Sequence, residues 1–236
     1  MSTIIKNTRL ASHQLSEHKF DTPKELVSWM GAMQAQNFNM AKWAIAIRLE
    51  SCTEQDVEEA FNRGDFLRTH IMRPTWHFVS SEDIKWLIQL TGDRVKSACK
   101  SLAKGLNIDK KEYSKAYKLL EKILRDNTHS TKDEIAGIFI KEGITMNSPK
   151  HLNYYLMSAE ADGIICSGAL KEKKQTYALL DERASTSDTI NKDEALAKLA
   201  HKYIQSHSPA TLQDFIWWSG LTIKDARQAF NLIENE

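Results

Sequence analysis

In window after window of this chain, apolar residues recur at the i, i+3, i+4, i+7 spacing of one helix face, and no other feature constrains the fold as tightly. Ala116, Leu119, Leu120, Ile123 and Leu124 form one such stripe, and Leu196, Leu199, Ala200, Tyr203 and Ile204 form another. Little interrupts them, because only 9 Gly and 4 Pro occur in 236 residues. Helix starts are equally legible. Thr22-Pro23-Lys24-Glu25 and Thr131-Lys132-Asp133-Glu134 each set a hydroxyl at an N-cap and a carboxylate three residues on, where the two side chains satisfy backbone N–H groups that a first turn leaves without partners. Ser148-Pro149 and Ser208-Pro209 read as N-caps followed by proline at the first helical position. The pattern predicts helices near 7–17, 22–34, 40–49, 54–63, 81–91, 110–126, 131–142, 148–162, 192–206, 210–218 and 222–233.

Strand signals come as two pairs. The β-branched and aromatic runs 66–71 and 75–79 flank a short link containing Pro74, which reads as a hairpin. The runs 163–167 and 175–180 flank a polar loop with Lys171, Lys173 and Lys174, a second hairpin with a basic tip. Three helices followed by a hairpin is the order of a winged helix, a helix-turn-helix variant. The order occurs twice and is followed by three more helices. The expected class is therefore mainly α (α+β), built from tandem winged-helix units with short hairpin wings, no parallel sheet, and a third unit left incomplete. Residues 1–105, 106–185 and 190–236 are the expected units, with the Ser-, Thr- and Asp-rich stretch from Asp181 to Asn191 as linker.

Charge and composition exclude several classes. Lys and Arg total 32 against 31 Asp and Glu, a formal net charge of +1, so whole-molecule attraction to nucleic acid or membrane is not indicated. Cys52, Cys99 and Cys166 form no C-x-x-C pair, which argues against a disulfide framework or a cysteine-rich zinc site and for a reducing compartment. No apolar run approaches the ~18 residues of a membrane span, and the N-terminus lacks the apolar core of a signal peptide, so a soluble cytoplasmic protein without membrane contact is expected. The eight histidines show no recurring ligand spacing, and no metal is expected. G-x-S-x-G, the P-loop, H-E-x-x-H and G-x-G-x-x-G are all missing from the sequence, which demotes the commonest enzyme classes.

Three local features remain. Met33-Gln34-Ala35-Gln36-Asn37 sets three amides within four residues where the helix with Leu26, Trp29 and Met30 runs out. On pattern alone such amides cap a helix or face solvent. The segment 68–77 gathers Arg68, His70, Arg73, Thr75, Trp76 and His77 in one hairpin, which suits a phosphate backbone and a stacked base. The alternative is a wing whose Trp76 packs into the core while the arginines pair with Asp65 or Glu82. The polar sides of two later helices, with Lys150, His151, Asn153 and Tyr154 on one and Lys224, Arg227, Gln228 and Asn231 on the other, carry residue types that contact phosphates and base edges, as solvated faces also do.

The residues also resemble a known family. Met33-Gln34-Ala35-Gln36, the runs 66–70, 72–79 and 162–168, and above all 194–203 and 208–221 closely resemble the AlkZ-like proteins, which are bacterial tandem winged-helix DNA glycosylases. The likeness runs in order over nearly the whole chain. It implies double-stranded, damaged DNA as partner, excision of N7-alkylated purines or unhooking of crosslinks through them, and neither cofactor nor obligate protein partner. The family signature is Gln-Φ-Gln, so the resemblance makes Gln34 and Gln36 the catalytic residues and leaves Asn37 outside the signature. Local positive charge and the 68–77 surface, on elements that approach grooves in winged helices, make Arg68, Arg73, Thr75, Trp76, His77, Lys171, Lys173, Lys174 and Arg227 the expected DNA contacts. Two departures stand out: the family commonly has Gly where this chain has Pro74, and its members usually continue into a further wing and a β-rich region, so a fragment or a short homologue is expected. A non-catalytic winged-helix DNA-binding protein, in which the glutamines are structural, is the competing reading.

Overall fold

The computed structural model describes residues 2–184 and 190–234. The chain opens with α1 (Thr3–Ser12), α2 (Pro23–Met30), β1 (Met33–Gln34), α3 (Phe38–Ala46), α4 (Glu54–Arg63), β2 (Phe66–Ile71) and β3 (Thr75–Ser80), and α5 (Ile84–Ala103) follows. A second series consists of α6 (Lys110–Ile123), β4 (Ser130–Thr131), α7 (Lys132–Lys141), α8 (Pro149–Ala161), β5 (Ile165–Ser167), β6 (Thr176–Leu179) and the single turn α9 (Leu180–Arg183). Last come α10 (Lys192–His207), α11 (Leu212–Ser219) and α12 (Ile223–Ile233).

Each of the first two series folds as helix, strand, helix, helix and hairpin. The short first strand adds to the hairpin's last strand, giving the antiparallel orders β1-β3-β2 and β4-β6-β5. That is a winged helix, twice. The capping boxes read at Thr22 and Thr131 both form, with each hydroxyl accepting from the backbone of the third helical residue and Glu25 or Glu134 reaching back.

Several boundaries differ from the sequence pattern. The helix expected to run to 34 stops at Met30, because Gly31 turns the chain at φ 72° and Met33 and Gln34 pair with Phe78 and His77. The helix expected at 81–91 is α5, which runs through Gly92 and is 20 residues long in all. A Cβ at Gly92 would sit 2.9 Å from the Ala161 carbonyl oxygen, so this glycine admits the close crossing of α5 and α8 and does not terminate a helix. The helix expected at 7–17 starts and ends earlier, as α1. Ser208 closes α10, and the cap of α11 is Thr211, in a box with Asp214. Within the expected linker, Asp181 to Arg183 belong to α9 and Asn191 caps α10, while 185–189 lie outside the described residues.

The first sheet is packed on both faces. Phe66, Phe78 and Met33 join Leu26, Val27, Ile45, Val57 and Phe61 from α2 to α4 on one side. Leu67, Ile71 and Val79 join Trp86, Leu87, Leu199, Tyr203 and Phe215 on the other. Asp83, buried ahead of α5, binds Lys198 at 2.7 Å and Lys202 at 2.9 Å and so fastens α10 to the first series. The second series has its own core around Leu120, Ile135, Phe139, Tyr155 and Ile165. The two sheets meet edge to edge, with the Arg68 N–H donating to Ser167 Oγ at 2.8 Å.

Candidate active site

The segment carrying the two glutamines is extended, and its burial alternates. Met33 and Ala35 are buried; Gln34 and Gln36 are exposed. A two-residue spacing puts both amides on one side of a strand, whereas on a helix it would separate them by more than half a turn. Ala35 N–H donates to the Trp76 carbonyl at 2.7 Å, which continues the β1–β3 pairing past Gln34. The Asn37 side chain then accepts from Met40 N–H at 3.1 Å and starts α3. Gln36 Oε1 accepts from Trp76 N–H at 3.4 Å. Gln34 makes no side-chain hydrogen bond among the described residues.

Register assigns the neighbours. Gln34 pairs with His77, and His77 with Thr69, so an amide, an imidazole and a hydroxyl stand in a row across three strands on one face. His77 Nδ1 lies 2.8 Å from the Thr75 carbonyl and must therefore carry the proton, which leaves the lone pair on Nε2. Burial pushes His77 down to about 4, so the imidazole is neutral at physiological pH. The hydroxyls of Thr69 and Thr75 are buried without hydrogen-bond partners. The row next to the glutamines is polar and uncharged.

Arg68, His70 and Trp76 occupy the opposite face. Arg68 is 6% exposed, and each nitrogen of its guanidinium has an acceptor. Nε donates to the Ala35 carbonyl at 2.9 Å, Nη2 to the Gln36 carbonyl at 3.3 Å and Nη1 to Gln175 Oε1, while Cζ lies 4.2 Å from the Trp76 ring centroid. Burial pulls the guanidinium down to about 10, so it remains cationic. Arg68 thus clamps the two carbonyls of the glutamine segment from behind and ties them to the second hairpin. Neither arginine of the first hairpin pairs with Asp65 or Glu82; Asp65 binds Arg63, and Glu82 binds Lys24.

The other expected contacts are distributed. Arg73 is exposed at the turn, its stem against Gly220, and Thr75 and Trp76 are half-buried. The left-handed position of that turn is Met72, at φ 57°, so Pro74 occupies a site that does not need glycine. At the second tip, Glu172 and Lys173 both have positive φ, as a two-residue hairpin turn requires. Lys171 is paired with Glu134, while Lys173 and Lys174 are exposed. Arg227 is exposed on α12. On α8, Lys150 and Asn153 are exposed, Tyr154 is half-buried, and His151 is buried with its ring nitrogens near Ser148 Oγ and the Leu106 carbonyl. The helix in the recognition position of the first winged helix, α4, exposes Glu54, Asp56 and Glu59, a face that repels phosphate.

Two residues of this region were not singled out from the sequence. Gln175 reaches Arg68 from 107 positions away. Glu160 is fully buried behind the first sheet, with Oε2 2.6 Å from His70 Nδ1. Its one trace in the sequence is a carboxylate following Tyr155, Leu156 and Ala159 on a packed helix face. Among the described residues no cluster of His, Cys, Asp or Glu could hold a metal ion, and no helix is long and apolar enough to cross a membrane.

Comparison with known proteins gives two findings. A family model described as "DNA glycosylase AlkZ-like" matches residues 27–236. The solved structure of Streptomyces sahachiroi DNA glycosylase AlkZ superposes with a TM-score of 0.77 at 19% identity, over 94% of this chain and 62% of that one. The chain therefore spans about three fifths of that structure's length. Curated proteins yield no match.

Proposed function

Because the chain belongs to the AlkZ-like DNA glycosylase family, we propose that it is a monofunctional DNA glycosylase that removes N7-alkylated purines from duplex DNA, with Gln34 and Gln36 as its catalytic residues. One observation carries this reading: two exposed amides stand two residues apart, one on an edge strand and one on its extension, held from behind by a buried arginine and flanked by uncharged polar groups. On this reading residues 1–105 form the catalytic unit, and 106–185 and 190–236 supply further DNA-facing surface.

The chemistry requires little of the protein. A purine alkylated at N7 is cationic, so when the N9–C1′ bond breaks its electron pair leaves with the ring and neutralises that charge. No strong acid is needed. What remains is to place a water at C1′ and to stabilise an oxocarbenium-like sugar. The free Gln34 carbonyl accepts a hydrogen bond from the water and aims its lone pair, and the amide oxygens turn their negative ends to the sugar. The water oxygen bonds C1′, and its proton passes to solvent. Because no lysine attacks C1′, the products are free base and an intact abasic strand.

The test is incubation with a duplex carrying one N7-methylguanine. Free base and an unbroken abasic strand are expected. Tight binding without any base release would favour the non-catalytic DNA-binding reading and overturn this one.

A further inference from the structure

The net charge of +1 conceals a strong asymmetry. Residues 94–125 hold ten Lys and Arg against three Asp and Glu, so this stretch carries +7 and the rest of the chain −6. It comprises the end of α5, the connection and α6. On α6 the cations share one face: at 3.6 residues per turn Lys110, Lys111, Lys115, Lys118 and Lys122 fall within an arc of about 140°, with Ser114 among them. All five lysines are exposed, while Ala116, Leu119 and Leu120 are buried. Glu121 is the one carboxylate on that arc. Four of the lysines line a shallow depression of about 460 Å³. Lys115 donates to the Glu142 carbonyl, whereas Lys110, Lys111, Lys118 and Lys122 make no ion pair among the described residues.

The placement of these charges does not serve the helix. Lys110 and Lys111 occupy the first turn, where the macrodipole is already positive. Lys111 and Lys115, and again Lys118 and Lys122, are like charges four residues apart, which destabilises a helix. An anion spread along the face relieves both. The exposed side chains from 110 to 122 are Lys, Ser and Glu121 alone, and no large apolar side chain of the described part of 94–125 is exposed. Protein interfaces are poor in Lys and rich in aromatic anchors, and helices that lie on membranes present an apolar face. Lysine is a strongly hydrated point charge, suited to phosphate. The row runs about 18 Å along the helix, longer than the ~12 Å width of a major groove, so it can reach phosphates of both strands.

We propose that the lysine face of α6 is a duplex-DNA surface that grips the phosphate backbone without reading sequence. It supplies the electrostatic attraction that the acidic α4 and the largely buried α8 do not. Its use, holding the enzyme on DNA around a lesion, rests on the glycosylase reading; its charge chemistry does not.

Binding of the full chain to an undamaged duplex of mixed sequence is measured by fluorescence anisotropy between about 50 and 200 mM salt. One variant combines Lys110→Gln, Lys111→Gln, Lys118→Gln and Lys122→Gln, since glutamine keeps helix propensity. Each lost phosphate contact removes about 0.9 from the slope of log K against log salt, so the slope should flatten by about two or more and affinity at the lowest salt should fall about tenfold or more. The melting temperature should hold or rise, because repulsion along α6 is relieved. A control with Lys6→Gln, Lys19→Gln, Lys24→Gln and Lys192→Gln, all exposed on other parts of the chain, loses the same charge and should flatten the slope by less than about one. A smaller flattening in the α6 variant, or as large a one in the control, overturns the proposal. If the α6 variant binds duplex like the parent yet loses affinity for poly-L-glutamate, the face serves an acidic protein and the proposal falls likewise. Should the quadruple variant melt below the parent, the double variant Lys118→Gln, Lys122→Gln decides, with a flattening of about one or more expected and anything less overturning it. Single-turnover base release from an N7-methylguanine duplex separates the two claims, because the variant should reach the parent's rate at a higher protein concentration. No release by the parent removes the glycosylase reading and leaves the surface; release by the parent with an unflattened slope in the variant does the reverse.

Discussion

The two winged helices have the same strand order, yet their edge strands serve opposite ends. In the second, β4 runs straight into α7: Thr131 is both the last strand residue and the helix cap, and its hydroxyl and N–H are consumed in a box with Glu134. In the first, Ala35, Gln36 and Asn37 intervene between β1 and α3, so the cap passes to Asn37 and two amides are left without a structural duty of that kind. Neither unit offers the free basic recognition helix of an ordinary winged helix, because α4 is acidic and most of α8 is buried against its neighbours. The difference teaches that two winged helices of one strand order can present different edges through the length of one connection, without any change in topology.

The sharpest way to break this contrast is to remove the amides. Gln34→Ala and Gln36→Ala should each lower single-turnover base release by about 10²-fold or more, comparable to losing one preorganised electrostatic contact, with DNA affinity nearly unchanged. Both side chains are exposed, so thermal unfolding should barely shift. Equal rates in parent and variants on a duplex the parent demonstrably processes would return the two edge strands to equivalence.

Next in size is Arg68→Met. The substitution keeps apolar bulk beside Trp76 but leaves the Ala35 and Gln36 carbonyls and Gln175 without their donor. Unpaired buried acceptors cost about 1–3 kcal/mol, and a loosened glutamine segment should slow base release by about 10-fold or more. Arg68→Lys should rescue stability in part and rate hardly at all, since one ammonium cannot span the fork. An Arg68→Met variant with parental rate and melting temperature would show that the clamp does not position the site.

Why the sequence disclosed one unit's frame and not the other's chemistry is visible in individual residues. The boxes at Thr22 and Thr131, the helical stripes and both hairpins depend on neighbours within a few positions, and all of them formed. The strands β1 and β4 are two residues each, too short for any alternation to register, and Gly92 reads as a helix end until α8 is laid across it. Arg68 announces a cation in a hairpin but not the direction it faces, because its acceptors come from a loop 33 residues upstream and a strand entrance 107 residues downstream. Family likeness supplied the glutamines; their placement on a strand and not on a helix came from Gly31 and the pairing with β3.

A smaller effect separates the cations of the second hairpin from one another. Lys173 and Lys174 are exposed, so if the tip lies on DNA each alanine substitution should weaken binding alike on all sequences and flatten log K against log salt by about 0.9. Lys171 is already paired with Glu134, and its loss also frees that carboxylate, so Lys171→Ala should lower affinity without a full unit of slope. A titration series in which Lys171 behaves like its neighbours, or none of the three matters, would remove this tip from the interface.

The smallest expected effect tests the comparison at its origin, the two helix caps. Asn37 and Thr131 are equivalent in topology, but Asn37 is exposed and accepts one bond from Met40, whereas Thr131 is buried and its cap is reciprocated by Glu134. Loss of a cap costs about 0.5–2 kcal/mol, so Thr131→Ala should fall near the top of that range and Asn37→Ala near the bottom. Chemical denaturation reads both, as a lower midpoint at constant slope. Asn37→Ala should also keep most of the base-release rate, because β1 is held by its pairing with β3 and Gln36 by Trp76, neither of which involves the cap. If Asn37→Ala instead loses activity as heavily as Gln36→Ala while its stability holds, then the amide at 37 belongs with Gln34 and Gln36, and the intervening segment contributes two functional positions where the second unit has none.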